Sequence, residues 1–265
     1  MIIVLMLIAA ALTLFVIWLV GRLRINSKRY LHKNMLDKVE HARQYDLLKA
    51  IISTQEQERR RIAANLHDSV GAELSMLKLN LSRYAFELKK KNIDNTQLQA
   101  ELENLDETID HIRTICKDLY PVTLQSYGFI KTFEDLVAKI NARSGLVCRY
   151  KFNLKESDLF EDIESKLNLL RLFQEIVNNL LKYAECTLLD IGFMKYENDI
   201  KIILRHNGLP FDNATVNEML AKGKGIGLAS ISNRIFLMKG SIDYGIVNNG
   251  SEIIIALPIT NDKKD

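Results

Sequence analysis

The sequence is poor in residues that bend or cross-link a chain: it holds three prolines, three cysteines and one tryptophan in 265 residues. Cys116, Cys148 and Cys186 are far apart and odd in number. That excludes a disulfide framework and paired zinc spacing, so reduced thiols in a cytoplasmic setting are expected. Metal-ligand spacing is equally absent among His32, His41, His67, His111 and His206. A net charge of +3 is too small to argue for nucleic acid as a partner. The basic residues are also locally explained, because Arg22, Arg24, Lys28 and Arg29 follow directly on an apolar stretch. No internal repeat or low-complexity tract stands out.

What is present begins with that stretch, "IIVLMLIAAALTLFVIWLV", residues 2–20, which is uncharged. As a helix it is long enough to cross a hydrocarbon core of about 30 Å, so one transmembrane helix is expected. A cleaved signal peptide is the alternative. Against it, no basic residue precedes the run, the run is too long, and no small-x-small site follows. Trp18 suits an interfacial anchor, and the basic cluster after it puts the carboxyl side in the cytoplasm. The amino terminus is then expected outside, with no extracytoplasmic sensor domain before the helix.

From Arg22 to about Thr54 glycine and proline are absent and apolar residues recur among charges, which predicts a continuous helical stalk. A signal-carrying coil and a passive spacer fit it equally well, since Lys49 interrupts the heptad. Two strongly periodic segments follow. Ile62, Leu66, Val70, Leu74, Leu77, Leu81, Tyr84 and Leu88 fall on one helical face, and Leu98, Leu102, Leu105, Ile109, Ile112, Cys116 and Leu119 form a seam. The loop "KNIDN", residues 91–95, makes them an antiparallel hairpin. One hairpin leaves such stripes half covered, so a homodimer forming a four-helix bundle is expected. Pro121 marks a boundary. Beyond it, helices are predicted at about 130–143, 162–184 and 227–238. Strands are predicted at 147–154, 187–196, 199–206, 241–247 and 251–259, the mark of a two-layer α/β sandwich.

His67 lies in "ERRRIAANLHDSVG", at the edge of the apolar face with Asp68 beside it. A carboxylate can hold one imidazole proton while the other nitrogen attacks an electrophile. The same pair also occurs on ordinary solvated helices; its surroundings distinguish it. Glu58, Arg59, Arg61, Ile62, Ala63, Leu66, His67, Asp68 and Gly71 match E-R-x-R-I-A-x-x-L-H-D-x-x-G, and "DLYPVTLQSYGF", residues 118–129, matches D-L-x-P-x-x-L-x-x-x-G. This resembles the phosphoacceptor region of sensor histidine kinases that partner LuxR/NarL-type response regulators, and the resemblance runs on to about residue 258.

Four parts are expected: a transmembrane helix (1–21) and a helical stalk (22–54), read from the residues, then a dimerisation and histidine phosphotransfer domain (55–121) and a GHKL-type ATP-binding domain (122–265), which the resemblance implies. The resemblance implies ATP and Mg²⁺ as cofactors and a response regulator as partner; with the apolar helix it makes a single-pass protein of the bacterial inner membrane with its catalytic part cytoplasmic, and leaves open a separate sensor protein as a further partner. In "QEIVNNLLKYA" Glu175, Asn179 and Lys182 share a helical face, a carboxylate, an amide oxygen and an ammonium that suit Mg²⁺ and phosphate. An amphipathic helix with a polar outer face has the same look. The resemblance assigns Asn179 to Mg²⁺, Glu175 to polarising a magnesium-bound water, Lys182 to phosphate, and adds Asn178.

In "GKGIGLASISNRI" Gly223, Lys224, Gly225, Gly227 and Leu228 would meet the polyphosphate at a helix start, with 209–222 as a lid. In "LRHNGLPFD" His206 and Gly208 align with a first glycine box D-x-G-x-G, whose Asp accepts a hydrogen bond from the adenine amino group. The carboxylate and second glycine are missing here. His206 is expected to replace the Asp as acceptor through a neutral ring nitrogen, weakening ATP binding about tenfold. Ala72 stands where family members with strong phosphatase activity carry an amide, so weak dephosphorylation of the regulator is expected. The alternative is a degenerate kinase serving as a membrane-tethered dimerisation and interaction protein.

Overall fold

A computed structural model describes residues 2–197, 199–222 and 226–259. Two compact units are present, Met1–Ile51 and Ile52–Asp265. The first lies within helix α1 (Ile2–Asn65), where the Arg22 guanidinium sits 5.1 Å over the Trp18 ring. Among the described residues no helix is long and apolar enough to cross a membrane. The expected span rests on side chains of residues 2–20, nearly all of which lie outside the described set.

In the second unit α1 passes through a π-helical turn, Leu66–Gly71, into α2 (Ala72–Lys90) with helical dihedrals on both sides. The apolar spacing explains the wide turn. Ile62, Leu66, Val70 and Leu74 are separated by three consecutive steps of four, and each overshoots a 3.6-residue helix by about 40°. One extra residue per turn absorbs that drift and keeps the stripe on one side. Helix α3 (Thr96–Leu119) returns along α2 and buries Leu102, Ile109 and Cys116, with Ala85 opposite. Asn95 ties the turn by donating to the Ala85 carbonyl, and Lys78 pairs with Asp106 across the hairpin. Leu77, Leu79, Tyr84, Phe86 and Ile115 stay exposed.

Pro121 separates α3 from α4 (Thr123–Arg143), which breaks at Gly128 (φ 82°, ψ −174°). The expected helix from residue 130 is the part after this break. The Glu156 carboxylate caps that part, accepting from the N–H groups of Phe129 (2.8 Å) and Ile130 (2.9 Å) and pairing with Lys166. A Cβ at Gly128 would meet Glu156 Oε1 at 2.5 Å, so both backbone and packing require glycine.

The five expected strands are β1 (Val147–Asn153), β2 (Leu188–Tyr196), β3 (Asp199–His206), β4 (Ser241–Val247) and β5 (Gly250–Pro258). They form one sheet in the order β1-β2-β3-β5-β4, parallel only between β1 and β2. Ile200, Ile202, Leu204 and His206 alternate onto the buried face, which packs against α4 and α5 (Ile163–Tyr183). Phe129, Phe133, Phe173 and Phe193 fill the middle, with Phe133 edge-on to Phe173 at 4.9 Å. Helix α6 (Asn213–Ala221) lies where only a cover segment was expected, started by Asp212, whose carboxylate accepts from Thr215 N–H. Helix α7 is Ile226–Leu237.

Candidate active site

The wide turn holds His67 with its side chain 71% exposed and its Nδ1 3.0 Å from Asp68 Oδ1. A carboxylate accepts only, so Nδ1 carries the proton and Nε2 is left with a free lone pair in solvent. The cleft beside it, ≈ 370 Å³, is lined by hairpin residues, among them Ala72, Ser75, Ile112 and Cys116. None of its lining residues comes from α5, β3 or α7.

The second half of the site is built on α5. Its polar stripe runs Asn168, Arg171, Glu175, Asn179 and Lys182, while Leu172, Phe173, Ile176 and Leu180 enter the core. Glu175 and Asn179 are half-buried, and Asn178 and Lys182 are exposed. Helix α7 starts directly against the two half-buried residues. A Cβ on Gly227 would lie 2.3 Å from Glu175 Oε1 and 2.7 Å from Asn179 Oδ1, so any larger residue would push both side chains away from the helix start. Two oxygens therefore converge on a helix start, a donor set that suits a hard cation beside an anion. The Asn179 Nδ2 is buried and, among the described residues, has no hydrogen-bond partner. Leu228 is half-buried beside Gly227. Gly223, Lys224 and Gly225 lie outside the described residues.

His206 ends β3 with 3% of its surface exposed, its ring stacked on Phe211 at 5.2 Å between centroids. Its turn folds onto the end of α5, where Leu209 N–H donates to the Ala184 carbonyl at 2.7 Å. Asn207 fixes the turn, its Oδ1 accepting from Thr187 and Leu188 N–H. Gly208 N–H donates to His206 Nδ1 at 3.2 Å. Burial pushes the imidazole pKa down, so the ring is neutral. With Nδ1 accepting, the proton sits on Nε2, which is buried and has no partner among the described residues. In this arrangement the remaining nitrogen is a donor, whereas the sequence reading expected an acceptor.

A further set of residues was not singled out in the sequence. Glu56 lies between the guanidinium groups of Arg171 and Arg234, which are only 5% and 4% exposed. Arg171 donates to both Glu56 oxygens, to Gln174 Oε1 and to the carbonyls of Asp118 and Leu119. Those carbonyls belong to the last turn of α3, left open where Pro121 stops the helix, so Arg171 caps the helix at its negative end. Arg234 donates to Asn168 Oδ1 at 2.6 Å and to Glu56. Burial pulls the Arg234 pKa down, opposed by Glu56. The sequence signal was an arginine on the polar stripe of α5 inside the apolar run "NLLRLF". Its carboxylate partner, 115 positions earlier, has no local signature.

Comparison with known proteins points the same way as the motifs. Residues 58–124 match the family model described as Histidine kinase. The oxygen sensor histidine kinase NreB of Staphylococcus carnosus (strain TM300) is 26% identical over 229 residues, 85% of this chain and 63% of its own. This chain thus spans under two thirds of that relative's length. Among solved structures, a blue-light activated histidine kinase of Erythrobacter litoralis aligns with TM-score 0.44 and 11% identity, covering 75% of this chain and 61% of its own. The Acinetobacter baumannii histidine kinase AdeS aligns with TM-score 0.41 and 16% identity, covering 69% of this chain and 96% of its own. The family match falls on the phosphoacceptor segment and bears out the resemblance to sensor histidine kinases read there.

Proposed function

We propose that this chain, with its histidine kinase segment at residues 58–124, is a two-component sensor histidine kinase that phosphorylates itself on His67 and passes the phosphoryl group to an aspartate of a LuxR/NarL-type response regulator. The observation that carries the reading is the Nδ1–Asp68 bond, which leaves His67 Nε2 exposed and nucleophilic. In the reaction Nε2 attacks the γ-phosphorus of a nucleoside triphosphate, ATP by the resemblance, the β–γ bridging bond breaks, and the diphosphate leaves with its electrons. Asp68 holds the Nδ1 proton and balances the positive charge on the ring. Lys182 and the start of α7 would hold the triphosphate, Asn179 would give its oxygen to Mg²⁺, and Glu175 would polarise a water beside that ion. When bound, that ion neutralises the charge of the phosphate oxygens. Asn178, exposed on the same helix, serves the nucleotide side.

The four-part division of the chain belongs to this reading, as do the homodimer and a single membrane pass with the catalytic part in the cytoplasm. The exposed Leu77, Leu79 and Phe86 favour pairing with a second hairpin. Arg22 over Trp18 favours an interfacial anchor at the end of residues 2–20. Because the His67 cleft and the α5 stripe share no lining residue, phosphorylation requires an arrangement that brings them together, which a sensor can bias.

The full chain with Mg²⁺ and γ-labelled ATP, beside His67→Gln, tests this. Acid-labile, alkali-stable label absent from the variant is expected. The donor edge at His206 favours a second reading, a scaffold with lost nucleotide binding. Absence of label with every triphosphate tried would establish that reading instead.

A further inference from the structure

Resting on the nucleotide-dependent reading above, we propose that His206 sets base selectivity, favouring a nucleoside triphosphate with a 6-oxopurine base over one with adenine. The argument is one of hydrogen-bond polarity. His206 is only 3% exposed, and among the described residues its Nε2 is buried from water without a partner. The Gly208 N–H occupies Nδ1, so Nε2 presents a proton and no lone pair.

Phe211 covers the ring face and is fixed at both ends of its peptide unit. Its N–H donates to Ser251 Oγ at 2.7 Å, and that hydroxyl donates back to its carbonyl at 2.9 Å. A ligand therefore reads the edge of the imidazole and not its face. The edge belongs to the turn that closes on Ala184, directly after the α5 stripe carrying Glu175, Asn179 and Lys182. On the nucleotide-dependent reading, a triphosphate held by that stripe has its base at this turn.

Adenine presents an amino donor at position 6, which meets the Nε2–H donor to donor. Hypoxanthine and guanine present a carbonyl oxygen there, which accepts the proton and satisfies the orphan. Binding uncovers Nε2 while the Gly208 bond to Nδ1 stays in place, and the new bond replaces one that the folded protein otherwise leaves unmade.

The test is competition of ITP, GTP, ATP and purine riboside triphosphate, which has no 6-substituent, for Mg²⁺-dependent binding of a fluorescent nucleotide to the full chain. ITP is expected to bind about tenfold or more tighter than ATP, with the unsubstituted purine between them. GTP follows ITP where the 2-amino group is accommodated. His206→Asp turns the donor into an acceptor and is expected to reverse the order. The wild-type series stands alone should that variant fail to fold.

ATP binding as tightly as ITP, with affinity still lost in Lys182→Ala, overturns the selectivity and leaves the kinase reading intact. No binding of any of the four overturns both.

Discussion

Replacing Glu56 by alanine removes the one carboxylate between two buried guanidinium groups. Among the described residues Arg171 keeps bonds to Gln174 and to the Asp118 and Leu119 carbonyls, but its Nε has no acceptor left, and Arg234 keeps Asn168 alone. Like charge then faces like charge at sites only 5% and 4% exposed. Breaking a buried pair from one side costs about 3–5 kcal/mol. That cost falls on the junction where the end of α1, the end of α3, α5 and α7 meet, because the aromatic core under the sheet is untouched. The expected outcome is release of the junction before global unfolding, with the arginines regaining water. Amide exchange at Leu119–Leu124 should accelerate by about two to four orders of magnitude, the factor that about 3–5 kcal/mol allows. The double variant Glu56→Ala/Arg234→Met removes one unpaired charge and should recover part of the loss. Unchanged exchange at the junction in Glu56→Ala would refute the reasoning, since the cluster would then contribute nothing to docking.

Gly128→Ala places a side chain in a backbone region reserved for glycine and against the Glu156 carboxylate, so a loss of about 1–3 kcal/mol is expected in denaturant melts. At Gly227, in the first turn of α7, alanine improves helix propensity by up to about 1 kcal/mol. It also forces Glu175 and Asn179 apart, so nucleotide affinity in the presence of Mg²⁺ should fall without loss of melting temperature; retained affinity contradicts the placement of the cation. For pH, His206 has a folded pKa below its unfolded value, so the unfolded chain binds the extra proton as pH drops below about 6.5. Stability should therefore decline on acidification through that window, by up to about 1.4 kcal/mol per pH unit, and His206→Asn should flatten the slope. Burial raises the Glu156 pKa, but the Ile130 and Phe129 N–H groups and Lys166 outweigh it and hold the carboxyl below its ordinary value. Its contribution is complete above the unfolded pKa of about 4.3 and disappears as pH falls through the folded one, an acid limb that Glu156→Gln should remove.

The sequence by itself determined what depends on spacing along the chain. Alternation of apolar residues specified all five strands, and the 3.6 period specified the hairpin helices and α5, because each element buries one face. The steps of four from Ile62 to Leu74 already contained the wide turn that presents His67, although only the structure displays it. The stripe Glu175, Asn179, Lys182 was legible for the same reason.

Tertiary structure alone decided what depends on partners distant in sequence. Glu156 caps a helix begun 28 residues before it at Gly128, and Glu56 joins arginines 115 and 178 positions away. No local period encodes such pairings. The same holds for His206: its identity was plain in the sequence, but which nitrogen carries the proton follows from the turn that puts Gly208 N–H against Nδ1. A hydrogen bond two residues long, formed only once β3 and α5 meet, turns an expected acceptor into a donor.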